Sequence, residues 1–285
     1  MRPLDVVMGA ALAGIVAFVA WRAGTLTRSG AIAAFVVGTL TYGAGTAGFT
    51  LILLAFFGSS VALSRVGRAR KRALVDVGKH GARDALQVLA NGGVATACAV
   101  GFAFAHDLRW ALAFAGAYAA ATADTWATEI GTLARQTPRS IVTFRPFSTG
   151  MSGGITPAGT AAEIGGALWI GLVAPIGLLL AYVLAGSDVG ISFRGPAVFG
   201  VGIRELAIIP IAGIAGATVD SLLGATLQEL RRCDVCERTC ETDPHACGNR
   251  TRLVRGIPGM SNDVVNLLAT AVGAGVAVAL PSVLR

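Results

Sequence analysis

The chain has 285 residues, of which 54% are hydrophobic and 14% charged, with a net charge of +7. Soluble domains carry about 25% charged residues, so the balance excludes a soluble α/β enzyme and points to a polytopic helical membrane protein. The basic excess needs no nucleic acid, since membrane topology and attraction to anionic lipid account for it.

In chain order, apolar segments fall at 4–22, 29–44, 46–63, 85–105, 109–127, 158–184, 197–219 and 264–281. Several reach the roughly 20 residues that a spanning helix needs. The expected fold class is all-α, a membrane helix bundle of about eight transmembrane segments forming a single domain over 1–285. The 38 glycines suit close helix–helix contact in lipid. The 29–44 segment is short and Gly-rich, as in a re-entrant or tilted span. The 220–230 stretch is read as a continuation of the seventh helix past the membrane.

Arg22 and Arg28, the loops 64–84 and 128–157, and the loop 229–262 hold most of the 23 Lys and Arg, and all lie on one side of an eight-span chain. The positive-inside rule makes that side cytoplasmic. The expected location is a prokaryotic plasma membrane.

The acids Asp84, Asp124, Glu129, Glu163, Asp220, Glu229 and Asp263 map to the same side. An Asp at the centre of a spanning helix costs roughly 2.5–3.5 kcal/mol, so such residues usually face a bundle interior or a wet cavity. Asp84, Gln87 and Asn91 share one helical stripe at i, i+3, i+7. Asn91-Gly92-Gly93 is expected to interrupt that helix. Asp124 and Glu129 lie about 140° apart on a helix, which places Asp124 in the site with Thr128 and leaves Glu129 for a second ion or an Arg. Ser148 to Thr156 is a Gly-rich loop feeding a helix that begins at Pro157, an arrangement that can cradle phosphate. It lacks the Gly-Lys-Ser/Thr of a Walker A loop. Asp220, Gly224 and Gln228 form another stripe, with the glycine leaving room beside the backbone. Asn262, Asp263 and Asn266 open the last segment.

Carboxylates beside many cations suit Mg²⁺ and phosphates, because Mg²⁺ is usually held by one or two carboxylates plus substrate oxygens. Asp124, Asp220 and Asp263 are the expected catalytic Mg²⁺ ligands. Lys79, Arg83 and Arg145 would offset phosphate charge. Asp84, Asn91, Glu129, Ser152, Gly153, Gly154, Gln228, Asn262 and Asn266 complete the expected nucleotide and phosphate site. Helix capping and loop salt bridges explain any single one of these acids equally well.

The 229–262 loop carries Cys233, Cys236, Cys240, His245 and Cys247. Four thiols and an imidazole suit a structural, tetrahedral Zn²⁺ with one ligand to spare. Free thiols or redox chemistry are the alternative. Cys98, alone in an apolar run, is read as packing.

The stretches Arg83–Gly93, Ala123–Gly131, Gly150–Thr160, Asp220–Gln228 and Asn262–Asn266 together resemble the integral-membrane family that includes the plant phytyl-phosphate kinase of tocopherol synthesis and the vertebrate transmembrane protein 19. The match runs in register from about residue 30 to the C-terminus. It departs at Gly259-Met260-Ser261, where the family pattern has an aromatic and an acidic residue. The resemblance implies phosphoryl transfer from CTP, or another nucleoside triphosphate, to an isoprenyl monophosphate such as a phytyl or geranylgeranyl phosphate. The expected partners are these two substrates and membrane lipids, with a homo-oligomer left open. A CDP-lipid cytidylyltransferase would use the same acids but release pyrophosphate. A lipid or ion transporter is the remaining alternative, disfavoured because the acids gather at one face and not at the midplane.

Overall fold

In lipid every backbone polar group must be satisfied within the protein, so the apolar runs fold as helices. The computed structural model describes residues 1–74, 81–185 and 203–283. Through these run α1 (Pro3–Arg22), α2 (Arg28–Arg65), the short α3 (Arg68–Leu74), α4 (Ala85–Ala105), α5 (Leu108–Gly131), α6 (Pro157–Ala185), α7 (Ile203–Thr226) and α8 (Asn262–Val283). Short strands β1 (Arg139–Ser140) and β2 (Gly154–Ile155) pair between α5 and α6. Strands β3 (Leu230–Cys233), β4 (Arg238–Cys240) and β5 (Arg252–Arg255) form an antiparallel sheet of order β4-β3-β5 between α7 and α8. The seventh helix therefore ends at Thr226 and gives way to strand, where sequence reading extended it to 230.

Local signals set the helix starts. Thr27 accepts from Gly30 N at 3.0 Å, and Asp84 and Gln87 form a reciprocal capping box. Thr156 Oγ1 accepts from Gly159 N at 2.9 Å, with Pro157 as the first helical residue. Asn91-Gly92-Gly93 does not interrupt α4, which runs unbroken through it. The Asn91 amide donates back to Gln87 O at 3.0 Å, and Gly92 faces the Tyr118 hydroxyl.

α2 is two helices joined at Thr46, whose φ of 53° and ψ of −149° are non-helical. Its first half runs antiparallel to α1: Gly38 abuts Ala13, Gly9 abuts Tyr42, and Gly43 abuts Val6. Its second half returns along α6, with Gly48 against Gly177 and the Trp169 indole donating to Ala55 O. Leu26 bridges to Arg83 just before α2, and Lys71 just after it pairs with Glu129, so both ends lie beside the α4–α5 acidic end. α2 is thus a hairpin. Its two halves with α1 and α4 through α8 run the length of the bundle, among the described residues, as eight helical passes.

Among the described residues, six helices are long and apolar enough to cross a membrane by themselves. α5 is not among them: Arg109, Asp124, Thr122 and Thr125 interrupt its alanine-rich run. It needs no lipid-facing surface: every residue from Ala111 to Ala123 is buried. Small residues let its neighbours close in. A Cβ on Gly116 would sit 2.5 Å from Gly273 O, and one on Gly216 would sit 2.4 Å from the Ala120 Cβ.

Candidate active site

A cavity of about 550 Å³ opens at the end of the bundle where α4 and α8 begin and α5 and the second half of α2 finish. Its polar part holds Asp124, Glu163, Asp220 and Glu241, with Arg65, Arg68, Lys71 and Arg83 also on the lining. The same cavity continues into an apolar arm between α1 and α2, past Leu12, Ala13, Val16, Ala17, Val37 and Gly38.

The helices bring four acids together. The Asp124 and Asp220 carboxyls are in hydrogen-bonding contact, and Glu163 and Glu241 both act electrostatically on Asp220. Glu163 accepts weakly from Thr218 Oγ1 at 3.4 Å. Asp220 Oδ2 is buried with no hydrogen-bond partner. Like charges this close cannot all ionise without a counter-charge. Hard oxygen donors around an orphaned buried carboxylate oxygen fit a divalent cation such as Mg²⁺.

The Gly-rich loop reaches this cluster by docking on the end of α7. Gly153, at φ +88°, lies so close that a Cβ would be 2.4 Å from Ala225 N, and a Cβ on Gly224 would be 3.0 Å from Gly153 N. Gly224 therefore does leave the room that its stripe implied. Ser152 is gripped on three sides. Its N–H and Oγ donate to the two oxygens of Glu241 at 2.9 and 3.0 Å, and Gln228 Nε2 donates to its Oγ at 2.9 Å. Asn262 Oδ1 lies 3.5 Å from the same Oγ. Burial raises the Glu241 carboxyl above the ordinary glutamate value, against the pull of the Ser152 bonds.

The cationic wall has its own pairing. Lys71 forms an ion pair with Glu129, both largely buried, and Glu129 also acts on Arg83. Burial lowers the Arg83 pKa and Glu129 opposes that shift. An arginine displaced this way remains a cation at neutral pH.

Of the residues expected from sequence, Arg83, Asn91, Asp124, Glu129, Ser152, Gly153, Gly154, Asp220, Asn262, Asp263 and Asn266 all line the cavity. Glu129 meets a Lys and an Arg, one of the two roles foreseen for it. Gln228 lies behind the lining and holds Ser152. Asp84 caps α4, its Oδ1 accepting from Gln87 N at 3.0 Å, and is not part of the lining. Arg145 is exposed in the β1–β2 connection and is not part of the lining. Lys79 lies outside the described residues. Asp263 shares the cavity, but the acids acting on Asp220 are Asp124, Glu241 and Glu163. Sequence reading placed Glu163 among the acids on this side without giving it a role, and left out Glu241 and Lys71. Glu163 carried a signal, an acid on the first turns of an apolar helix. Glu241 carried none, because it follows Cys240 in a loop read only for metal.

In the β3–β5 sheet, ligand atoms of Cys233, Cys236, His245 and Cys247 all lie within 4.8 Å of one another. The Cys233 and Cys247 sulfurs are 3.6 Å apart, and His245 Nδ1 is 3.1 Å from Cys247 Sγ. The imidazole, with Asn249, holds the Cys247 thiol down to about 5. The Cys236 thiol is pushed up to about 11, chiefly by its bond to Cys247. Cys240 is the ligand to spare: on β4 its thiol donates to Thr242 O at 3.5 Å, outside the group of four.

The family described as integral membrane protein DUF92 matches residues 11–274. Protein PGR of Arabidopsis thaliana is 31% identical over 287 residues, covering 90% of each chain. An uncharacterized membrane protein of Methanocaldococcus jannaschii is 33% identical over 227 residues, covering 79% of this chain and 73% of its own. An uncharacterized membrane protein of Synechocystis is 26% identical over 234 residues, covering 81% and 72%. No solved structure matches the chain.

Proposed function

The chain belongs to the integral membrane protein DUF92 family, and on that premise we propose that it is a membrane phosphotransferase. It moves the γ-phosphoryl group of CTP, or of another nucleoside triphosphate, to an isoprenyl monophosphate of the phytyl or geranylgeranyl type. The observation that carries this reading is the cavity itself. One continuous space joins a carboxylate and cation cluster to an apolar arm between α1 and α2, which suits a lipid with a phosphate head. The motif resemblance to the family of the plant phytyl-phosphate kinase names the same class of acceptor. The basic loops around the cavity mouth favour a cytoplasmic orientation by the positive-inside rule.

An oxygen of the acceptor monophosphate attacks the γ-phosphorus. The bond from that phosphorus to the β–γ bridging oxygen breaks, and CDP leaves with the oxygen. The acceptor is already an anion, so no general base is required, and the work is positioning plus charge neutralisation. Arg83, Lys71 and the arginines at 65 and 68 offset phosphate charge. The Ser152–Gly154 backbone and Asn262 orient phosphate oxygens. Asp124, Asp220, Glu163 and Glu241 would hold Mg²⁺, which would supply counter-charge to the donor phosphates. The arm between α1 and α2 takes the isoprenyl tail.

The test is a product assay on protein purified in detergent, given γ-labelled CTP or ATP, Mg²⁺ and geranylgeranyl or phytyl monophosphate. The expected result is label in an isoprenyl diphosphate, with CDP or ADP released. Pyrophosphate release without labelled lipid moves the chain to the CDP-lipid synthases. Neither product, across prenyl phosphates of several lengths, refutes enzymatic phosphoryl transfer and favours transport.

A further inference from the structure

The β3–β5 module has almost no apolar interior. Between residues 229 and 260 the buried residues are Leu230, Cys233, Cys240 and His245, while Val235, Val254 and Ile257 are exposed. Strands of four, three and four residues cannot hold together on so little burial, and small modules of this kind rely on a disulfide or a metal. The four sulfur and nitrogen atoms at its centre come from three places: the end of β3 (Cys233), the β3–β4 turn (Cys236) and the segment after β4 (His245 and Cys247). Zn²⁺ with bonds of about 2.3 Å to sulfur needs tetrahedral edges of roughly 3.8 Å, and the Cys233–Cys247 separation is 3.6 Å.

Glu241 stands between β4 and His245. One side of it is fixed by the ladder, where Cys240 pairs with Arg231 and Arg238 with Cys233. The other side is held by the cluster together with the contacts of Thr242 and Asp243, where Thr251 N donates to Asp243 at 2.9 Å and Arg231 pairs with the same carboxylate. Glu241 is also the residue whose two oxygens take the N–H and Oγ of Ser152 and whose charge acts on Asp220. We infer that Cys233, Cys236, His245 and Cys247 bind a single Zn²⁺ that serves as a clasp. It holds Glu241 against the Ser148–Thr156 loop and thereby assembles one wall of the active site. The metal and the clasp stand on geometry alone, and only their consequence for turnover rests on the phosphotransfer reading.

Metal content comes first, measured by mass spectrometry on protein purified without added chelator. One zinc per chain is expected, replaceable by Co²⁺ with the visible bands of a tetrahedral thiolate site. Cys247→Ser should lose the metal, and Cys240→Ser should keep it. Coupling is then read on the wild type, so that a variant's failure to fold cannot obscure it. Hydrogen exchange of the 148–156 backbone is followed before chelation, after chelation, and after zinc is restored. The Ser152 amide should exchange at least about tenfold faster without metal and recover on addition. A chain with no metal and free or disulfide-bonded thiols overturns the site. Metal present but exchange at Ser152 unchanged on its removal overturns the clasp. Zinc with normal coupling but no phosphoryl transfer to any lipid refutes the proposed chemistry and leaves this inference standing.

Discussion

Asp220→Asn separates what the acid cluster costs from what it does. In the folded chain Asp220 is 7% exposed, touches the Asp124 carboxyl, and feels Glu163 and Glu241. Two unit charges about 4 Å apart repel by about 4 kcal/mol at an effective dielectric of 20. Replacing the carboxylate with an isosteric amide removes that repulsion and should stabilise the metal-free protein by about 1–2 kcal/mol after relaxation. At about 2–4 °C per kcal/mol, the Tm in detergent should rise by a few degrees. The same change removes an oxygen ligand for the divalent cation. For the wild type, Mg²⁺ at about 100 times its Kd should add about 2.7 kcal/mol, seen as a further rise in Tm, and the variant should show little of it. Turnover should fall about 10²–10³-fold, the usual cost of deleting one preorganised electrostatic contact. The assay is a pair of melting curves with and without Mg²⁺, run beside the labelled-lipid assay. A variant that melts lower than wild type without Mg²⁺, or that keeps both its Mg²⁺ response and turnover within a few-fold, would refute the argument.

Four further outcomes are expected. Lys71→Met strands the largely buried Glu129 and should destabilise by about 2–3 kcal/mol, with Lys71→Met/Glu129→Gln recovering at least half; a double variant as unstable as the single removes the coupling. Ala17→Phe should fill the apolar arm and displace about two methylenes of tail, worth about 1.5 kcal/mol, so KM for geranylgeranyl monophosphate rises about tenfold while that for a five-carbon prenyl phosphate holds; equal effects on both would place the tail elsewhere. Gly116→Val drives a side chain into Gly273 O and the Ala277 Cβ and should cost about 1–3 kcal/mol or more, whereas Gly275→Ala, with open space beside it, should be neutral or slightly stabilising. Because burial raises the Glu241 carboxyl above its ordinary 4.5, the folded chain holds that proton more tightly than the unfolded one. Its contribution is complete below pH about 4.5 and is lost as pH rises through the raised value. In Mg²⁺-free buffer the wild-type Tm should therefore fall relative to Glu241→Gln as pH goes from 4.5 to 7, and parallel profiles would count against the burial argument.

Much of the architecture is legible in the sequence because lipid leaves few choices. Apolar runs become helices, and an acid within one must face the interior, so Asp124 and Asp220 on a common cavity follow from cost alone. Even the break near 45 shows, as two short segments with Gly45 between them. What cannot be read is which side chain stands opposite which. Helical phase gives the face of α5 that carries Asp124 but not that α6 brings Glu163 to it. Nothing in the Cys-rich loop marks Glu241, whose role depends on contact with Ser152, 89 positions earlier. Cationic residues mislead for a related reason. A long Arg or Lys in a basic loop is as easily solvated, like Arg145, as turned inward, like Lys71. Asp84 shows the same ambiguity at a helix start, where capping competes with ligand binding for the same carboxylate.

The join at Thr46 bears on how the protein is made. The two halves of α2 meet at a single residue, so there is no connecting loop to carry across the bilayer. Neither half need wait at the translocation channel for a polar segment to be exported behind it. The pair can slip sideways into lipid as one preformed unit. The finished hairpin then offers almost nothing at its tip to a protease or a labelling reagent approaching from the face opposite the carboxylates.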